Sequence, residues 1–392
     1  MGLSCCKQGS LGLKLQRLAL ETFRNHEQSI VDCSPGVNLF LGDNGEGKTN
    51  ILEGISYLCL SKSFYAANDT VVMNIHKNGF TVTGEFLSDG NIGYEARITF
   101  DKQQNQKSIT VNKTKIDKAS SLLGRFPVVI LSPEQSSITI GSPSDRRRFV
   151  DFVISQSNRI YLEQLIEYKR ILKQRNKVLS DMLFFRKDHE AVLEPWNENL
   201  VRVGTAVIKK RKEFIEDFQI IVTDAYATLA GTIERPGISY EPSFPCGGSE
   251  ATEAVFQKAL NDCCQEERRA GHSLVGPHRD DFLFKINNLE ARNFASQGQH
   301  KTFLIALKLA EFFYLKEQCN ETPILLLDDV LSEMDGRRSQ RLLERIAELG
   351  QVFLTSTDER ALNWKPVLSA RPRKFFVRQG TIDRVEEAAY IR

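Results

Sequence analysis

Residues 42–49 read Gly42-Asp43-Asn44-Gly45-Glu46-Gly47-Lys48-Thr49 and satisfy the pattern G-x-x-x-x-G-K-[ST] at every fixed position. Glycines at this spacing let successive backbone N–H groups turn toward an anion. Lys48 adds a positive point charge for β and γ phosphates, and Thr49 offers a hydroxyl to magnesium. Asp43, Asn44, Gly45 and Glu46 complete the loop around the phosphates. A second element, Ile324-Leu325-Leu326-Leu327-Asp328-Asp329, is an apolar run that ends in two carboxylates. In such a pair Asp328 would hold magnesium through water, and Asp329 could act as the general base that orients an attacking water. Taken singly, the first could be a glycine-rich turn and the second a buried strand ending at a corner. Together they predict ATP and magnesium as cofactors, with Lys48 and Asp329 in catalysis.

A third element refines the class. Ser296-Gln297-Gly298-Gln299 precedes an amphipathic helix over 300–318 and resembles the LSGGQ signature of ABC-type ATPases. In that class the serine and the positive end of its helix touch the γ-phosphate held by a second subunit. Ser296, Gly298 and Gln299 are therefore candidates for a shared site in a homodimer formed on ATP. A plain helix cap, serine with a nearby glutamine, reads the same way. Ser332-Glu333-Met334-Asp335 resembles the D-loop that crosses between subunits, with Ser332 and Asp335 as its contacts. Thr355-Ser356-Thr357-Asp358 stands where transporter ATPases carry a switch histidine, and no histidine is there.

The elements that must position these residues follow from periodicity. Residues 13–20 alternate like a strand, 37–41 form a buried strand, and 50–60 have helical spacing. TVTGEF, YEARITF and SITVN, between 80 and 116, predict an antiparallel β meander. Between 145 and 231 the pattern is helical. Tyr161, Leu165, Tyr168, Leu172, Leu179 and Met182 share one face, broken at Arg175. Trp196, Leu200, Val203, Val207 and Phe214 share another, broken at Lys210, after an expected turn at Glu194-Pro195. Two antiparallel helices forming a short arm fit this pattern. Residues 233–250 read as a connector, 250–270 as a helix, and 324–327 and 351–354 as buried parallel strands. The expected fold is α/β: a P-loop ATPase lobe over 13–130 and 271–392, holding a mixed sheet and the meander, with a mainly helical lobe inserted over 131–270. Residues 1–12 are expected to be a loose extension.

Composition bounds the rest. The chain has 392 residues, 41% of them apolar, and a formal charge of +2. A grip on nucleic acid must then come from local basic patches. The clusters are Arg146-Arg147-Arg148, Lys209-Lys210-Arg211-Lys212, Arg337-Arg338 and residues 371–374, and the second, on the arm, is the first candidate for contacting DNA phosphates. No apolar run reaches the roughly 18–20 residues of a membrane span, so no membrane partner is expected. The eight cysteines form no C-x-x-C pair, which predicts free thiols in a reducing cytoplasm.

Five blocks in order, LFLGDNGEGKTNILEGISYL, LSPEQSSITIGSPSDRRRFVDF, GPHRDDFLFKINN, FASQGQHKTFLIALKLAE and PILLLDDVLSEMD, resemble the RecF family. The resemblance runs from about residue 13 to the C-terminus. It implies an ATP-dependent DNA binder of replication and recombinational repair that dimerises on ATP and hydrolyses it slowly, as a switch. It implies duplex and gapped DNA with single-stranded junctions as ligand, RecO and RecR as partners in loading RecA, and a part in the SOS response. It also implies ATP contacts from Arg24 and Asn25 and a Q-loop role for Gln135. Two positions depart from the family pattern: Tyr65 replaces a usual arginine, and Gln135-Ser136 replaces a common Asp-Leu pair. The competing readings are a transporter ATPase subunit, an SMC-like tether and a metabolic kinase. They would need a switch histidine, long coiled coils and an acceptor pocket respectively.

Overall fold

The computed structural model describes residues 12–64, 68–185, 190–230, 234–245, 252–330, 336–346, 348–357 and 372–387. The chain divides into two compact units. One gathers Met1–Gln135, Thr228–Ala230 and Ile305–Arg392; the other gathers Ser136–Ala227 and Gly231–Leu304.

The chain first lays down β1 (Lys14–Phe23), β2 (His26–Asp32), β3 (Val37–Leu41), α1 (Lys48–Leu60) and α2 (Asp69–Val72). Strands β4 (Gly79–Leu87), β5 (Gly93–Asp101), β6 (Gln106–Val111), β7 (Thr114–Lys115) and β8 (Val128–Leu131) follow. Then come α3 (Ser137–Ile140), α4 (Pro143–Ser157), α5 (Arg159–Phe185), α6 (Glu190–Ala230), β9 (Pro236–Glu241), α7 (Thr252–Asp262) and α8 (Cys264–Ala270). The order continues β10 (Asp281–Ile286), β11 (Leu289–Glu290), α9 (Ala291–Phe294), α10 (Gln297–Gln318), β12 (Ile324–Leu327), α11 (Gly336–Ile346), β13 (Val352–Ser356), β14 (Arg373–Arg378) and β15 (Thr381–Glu387).

In the first unit a six-stranded sheet runs β15-β14-β3-β13-β12-β8. Its inner pairs are parallel, and β15 closes it antiparallel to β14. Every residue of β3, β12, β13 and β8 is buried, as strands covered on both faces require. A second, antiparallel sheet runs β2-β1-β4-β5-β6-β7 and contains the expected meander. Helix α1 packs on β1, β4 and β5 of this sheet and on β8 and β13 of the other. That sandwiching buries eleven of its residues and holds the start of the helix directly after β3. Gln351 joins the layers: its side chain accepts from Leu15 N at 2.7 Å and donates to Leu15 O and Ser34 O, each at 2.8 Å.

The second unit contains the three-stranded antiparallel sheet β11-β10-β9, helices α3 to α9 and the first turns of α10. The arm is antiparallel. Tyr161 meets Arg211, a side chain on Gly204 would meet Tyr168, and Arg175 Nε donates to Asn197 at 2.8 Å. As one index rises the other falls step for step. Helix α5 has 27 residues and so extends for roughly 40 Å.

Three expectations change here. Glu194-Pro195 is not a turn: α6 starts at Glu190 and runs through Pro195. Pro195 is the sixth residue of that helix, so the N–H it lacks would have met Ala191 O; the helix continues without that one bond. Part of the expected connector is β9, an edge strand that opens with Pro236, the position where a strand accepts proline. The second unit extends past 270 to Leu304, so Ser296-Gln297-Gly298-Gln299 lies within it.

Candidate nucleotide site

The site starts where β3 ends. The chain turns at Gly42 and enters α1 through Gly47, whose φ of +109° and missing Cβ are both needed. A Cβ there would lie 2.6 Å from Asn25 Oδ1 and 2.9 Å from His26 Nε2. Helix α1 has no side-chain cap and no acidic residue in its first turn. Its first N–H groups and positive dipole end are therefore left for an external anion.

Lys48 follows at once. It is 7% exposed, and its Nζ donates to the carbonyls of Gly42 and Asp43, each at 2.7 Å. Burial lowers the affinity of the amine for its proton, while Asp329, Asp328, Asp43 and Glu46 oppose that shift. Thr49 Oγ1 donates to Asp328 Oδ1 at 2.8 Å, and Thr355 Oγ1 donates to the same oxygen at 2.8 Å. Asp329 N in turn donates to Thr355 Oγ1 at 2.9 Å, and Asp329 adopts a left-handed φ of 48°. The glycine loop and the acidic strand, 279 residues apart in sequence, thus meet in one hydrogen bond. A hydroxyl and one carboxylate suit magnesium, which takes few protein oxygens and completes its shell with water and phosphate.

Asn25 and Arg24 approach from the β1–β2 turn. Asn25 Nδ2 donates to Glu46 O at 3.1 Å, and Asn50 Nδ2 donates to Asn25 Oδ1 at 2.7 Å. Arg24 is held by Glu53 through Nε at 2.7 Å and Nη2 at 2.8 Å, with Nη1 on Val71 O at 3.0 Å. Gln135, after β8, has a buried Oε1 with no hydrogen-bond donor among the described residues. A cavity of about 400 Å³ opens beside the loop, lined by Asp43, Glu46, Thr357, Phe376, Arg378 and Asp383 among others.

Ser296 and Gln299 form a reciprocal cap: Ser296 N donates to Gln299 Oε1 at 2.8 Å, and Gln299 N donates to Ser296 Oγ at 3.2 Å. Gln299 Nε2 also donates to Glu234 at 2.8 Å. Ser296 is exposed at the start of α10, with Gly298 in its first turn. Ser332 and Asp335 lie outside the described residues.

The arm cluster needs a correction. Arg211 is 2% exposed and faces inward. It donates to both oxygens of Asp151 at 2.9 and 3.1 Å, to Pro277 O at 2.6 Å and to Asp280 at 3.4 Å. An arginine so enclosed cannot reach a DNA phosphate. Lys209 is exposed, and Lys210 and Lys212 are half-buried. Two arginines of the 146–148 cluster are also engaged within the unit. Arg146 grips Asp281 at 2.8 and 2.7 Å, and Arg147 donates to Asp280 O. The blocks SDRRRFVD and GPHRDD therefore fit together as one ion network.

Sequence reasoning missed Glu53 and His26, and it placed Thr355 at the switch position without its bonds to Asp328 and Asp329. Glu53 belongs to an ordinary-looking helix position, and only its partner Arg24 gives it a role. His26 is fully buried against Gly47.

The family model of the RecF/RecN/SMC N terminal domain matches residues 14–370. The chain is 39% identical over 354 residues to the DNA replication and repair protein RecF of Chloroherpeton thalassium, covering 89% of this chain and 96% of that protein. The chain belongs to the RecF family. The RecF of Staphylococcus epidermidis is 35% identical over 364 residues, covering 92% of this family member and 97% of its own length. The solved recombination mediator protein RecF–ATP of the RecFOR pathway superposes with a TM-score of 0.87 at 28% identity, over 98% of this chain and 100% of that one. An SMC head shares the fold, with a TM-score of 0.53 at 12% identity over 96% of this chain and 98% of its own. The α/β ABC-type ATPase fold is thus that of RecF and SMC heads. The transporter and kinase readings give way to this assignment. Among the described residues no helix is long and apolar enough to cross a membrane.

Proposed function

We propose that this RecF-family chain binds ATP with magnesium and uses it to close a homodimer on DNA during replication and recombinational repair. The observation that carries the reading is the hydrogen bond between Thr49 and Asp328, which brings loop and acidic strand to one point beside Lys48. Lys48 would exchange its two carbonyl acceptors for β and γ phosphate oxygens, and the N–H groups at the start of α1 would take the remaining charge. Magnesium, when bound, neutralises charge between those phosphates; Thr49 and Asp328 would hold it. Asp329, anchored through its backbone to Thr355, would orient the attacking water as general base. Asn25 would brace the loop, Arg24 would serve the nucleotide from beside it, and Gln135 is the Q-loop residue.

Ser296, with Gly298 and Gln299, would meet the γ-phosphate held by a second copy, aided by Ser332 and Asp335. Nucleotide then stabilises the closed dimer by binding it better than the open chains. Lys209, Lys210 and Lys212 would hold the phosphates of duplex or gapped DNA. RecO and RecR as partners, RecA loading, SOS induction, slow turnover and a cytoplasmic location complete the proposal on family grounds. Sedimentation with and without ATP tests it. ATP should raise the dimer fraction of wild type and leave Ser296→Arg monomeric; equal dimerisation by the variant would overturn the shared site.

A further inference from the structure

His26 lies where three segments meet. Its ring is fully buried, with Nε2 3.0 Å from Gly47 O on the glycine loop and Nδ1 2.8 Å from Ser29 Oγ on its own strand. Ser29 Oγ in turn donates to Gly380 O at 3.1 Å, on the turn between β14 and β15. The same turn returns to the loop: Gly380 N donates to Glu46 O at 2.8 Å, and Gln379 N donates to the Glu46 carboxylate. A Cβ on Gly380, where φ is +74°, would lie 2.1 Å from Asn25 O, so the contact is tight.

Counting protons decides what the imidazole must be. A carbonyl only accepts, so Nε2 must carry hydrogen to bond Gly47 O. Ser29 has one hydroxyl hydrogen, and the bond to Gly380 O uses it. Nδ1 must then be the donor to Ser29 Oγ. All three bonds form together only when both ring nitrogens are protonated. With a neutral ring, Ser29 turns its hydrogen to Nδ1 and Gly380 O loses its donor.

We propose that His26 is a positioning residue for nucleotide binding, which as imidazolium straps Gly47 of the glycine loop through Ser29 to the β14–β15 turn and takes up its second proton when a polyphosphate occupies the loop. This rests on the ATP reading above. Burial pushes the ring toward its neutral form, and the carbonyls of Gly47 and Gly380 oppose that shift. Several charged groups on the surrounding elements are held by partners other than the His26 ring. Arg24 pairs with Glu53, Glu27 pairs with Lys77, Lys48 bonds carbonyls, and Glu46 accepts from Gln379. On the hairpin that packs along β2, Arg384 pairs with Glu386, while Arg378 and Asp383 line the cavity beside Glu46. A bound polyphosphate would be the new charge, and it favours the imidazolium.

The sign follows. Binding raises the proton affinity of His26, so nucleotide affinity is greatest at low pH and falls as pH rises through the value of the liganded ring. The test is equilibrium titration of a fluorescent ATP analogue with magnesium from about pH 8 to about pH 6, around the ordinary imidazole value near 6.5. Wild type is compared with His26→Gln, which keeps a donor for Gly47 but cannot charge, and with His26→Phe. The titration of ATP itself is common to all three. Wild type should gain roughly tenfold more affinity than either variant on acidification, and calorimetry in two buffers should show extra proton uptake by wild type alone. If the phenylalanine variant fails to fold, the glutamine variant decides. Parallel pH profiles for wild type and His26→Gln would overturn the proposal and leave ATP binding standing. No binding by wild type at any pH would overturn the nucleotide reading itself.

Discussion

Two buried cations in this molecule have opposite surroundings. Lys48 is 7% exposed, and its close acceptors are two loop carbonyls. Arg211 is 2% exposed, and its acceptors include the carboxylates of Asp151 and Asp280. Burial alone would weaken proton binding at both. For Lys48 burial prevails, whereas Asp151, Tyr161, Tyr240 and Asp280 reverse it for Arg211. A buried cation satisfied by neutral, replaceable carbonyls is poised for an incoming anion. One matched by fixed carboxylates is a structural tie, whatever charge the local sequence displays.

The comparison breaks most readily at Arg211. Arg211→Ala leaves Asp151 and Asp280 buried without their counter-ion and should cost about 3–5 kcal/mol in urea unfolding. An unchanged midpoint would make the network incidental. Lys48→Ala should do the reverse, with stability held to within about 1 kcal/mol and ATP affinity lowered on the order of a hundredfold by the lost charge-assisted contacts. If Lys48→Ala unfolded the protein as readily as Arg211→Ala, the contrast would collapse. Asp328→Asn keeps the shape of the Thr49 and Thr355 contacts but removes the charge. It should cut the gain in ATP affinity that magnesium gives by roughly tenfold, and titration at two magnesium concentrations reads this directly. The smallest effect belongs to the arm lysines. Changing Lys209, Lys210 or Lys212 to alanine should weaken DNA binding alike for all sequences and lower the salt slope by about 1 per lysine.

Much of this was legible in the residues. Strands β3 and β12 run over the residues expected of them, because burial on both faces leaves an uninterrupted apolar run between polar turns. The glycine loop and the acidic pair were legible because phosphate and magnesium chemistry restricts the residue types. Strand β2 was missed because two of its buried residues, His26 and Ser29, are polar by type, while the apolar Ile30 is exposed, so no apolar/polar alternation shows. Arg175 read as a break in the arm, and Arg211 as part of a basic patch, for one reason. Their carboxylate partners Glu267 and Asp280 lie 92 and 69 residues away, and local pattern carries no trace of such pairings. Arg175 in fact reaches Glu267 at 2.6 Å, inside the face it was read as interrupting.

The stepwise opposition of α5 and α6 also acts as a ruler. Tyr161 with Arg211, Tyr168 with Gly204 and Arg175 with Asn197 are three graduations, each tied to a polar group or a missing side chain that tolerates no slip. An insertion or deletion on one helix alone, between the first mark and the last, would put at least one of the three out of register. Changes in reach must come in equal lengths on both helices, or be confined to the distal end beyond the last graduation.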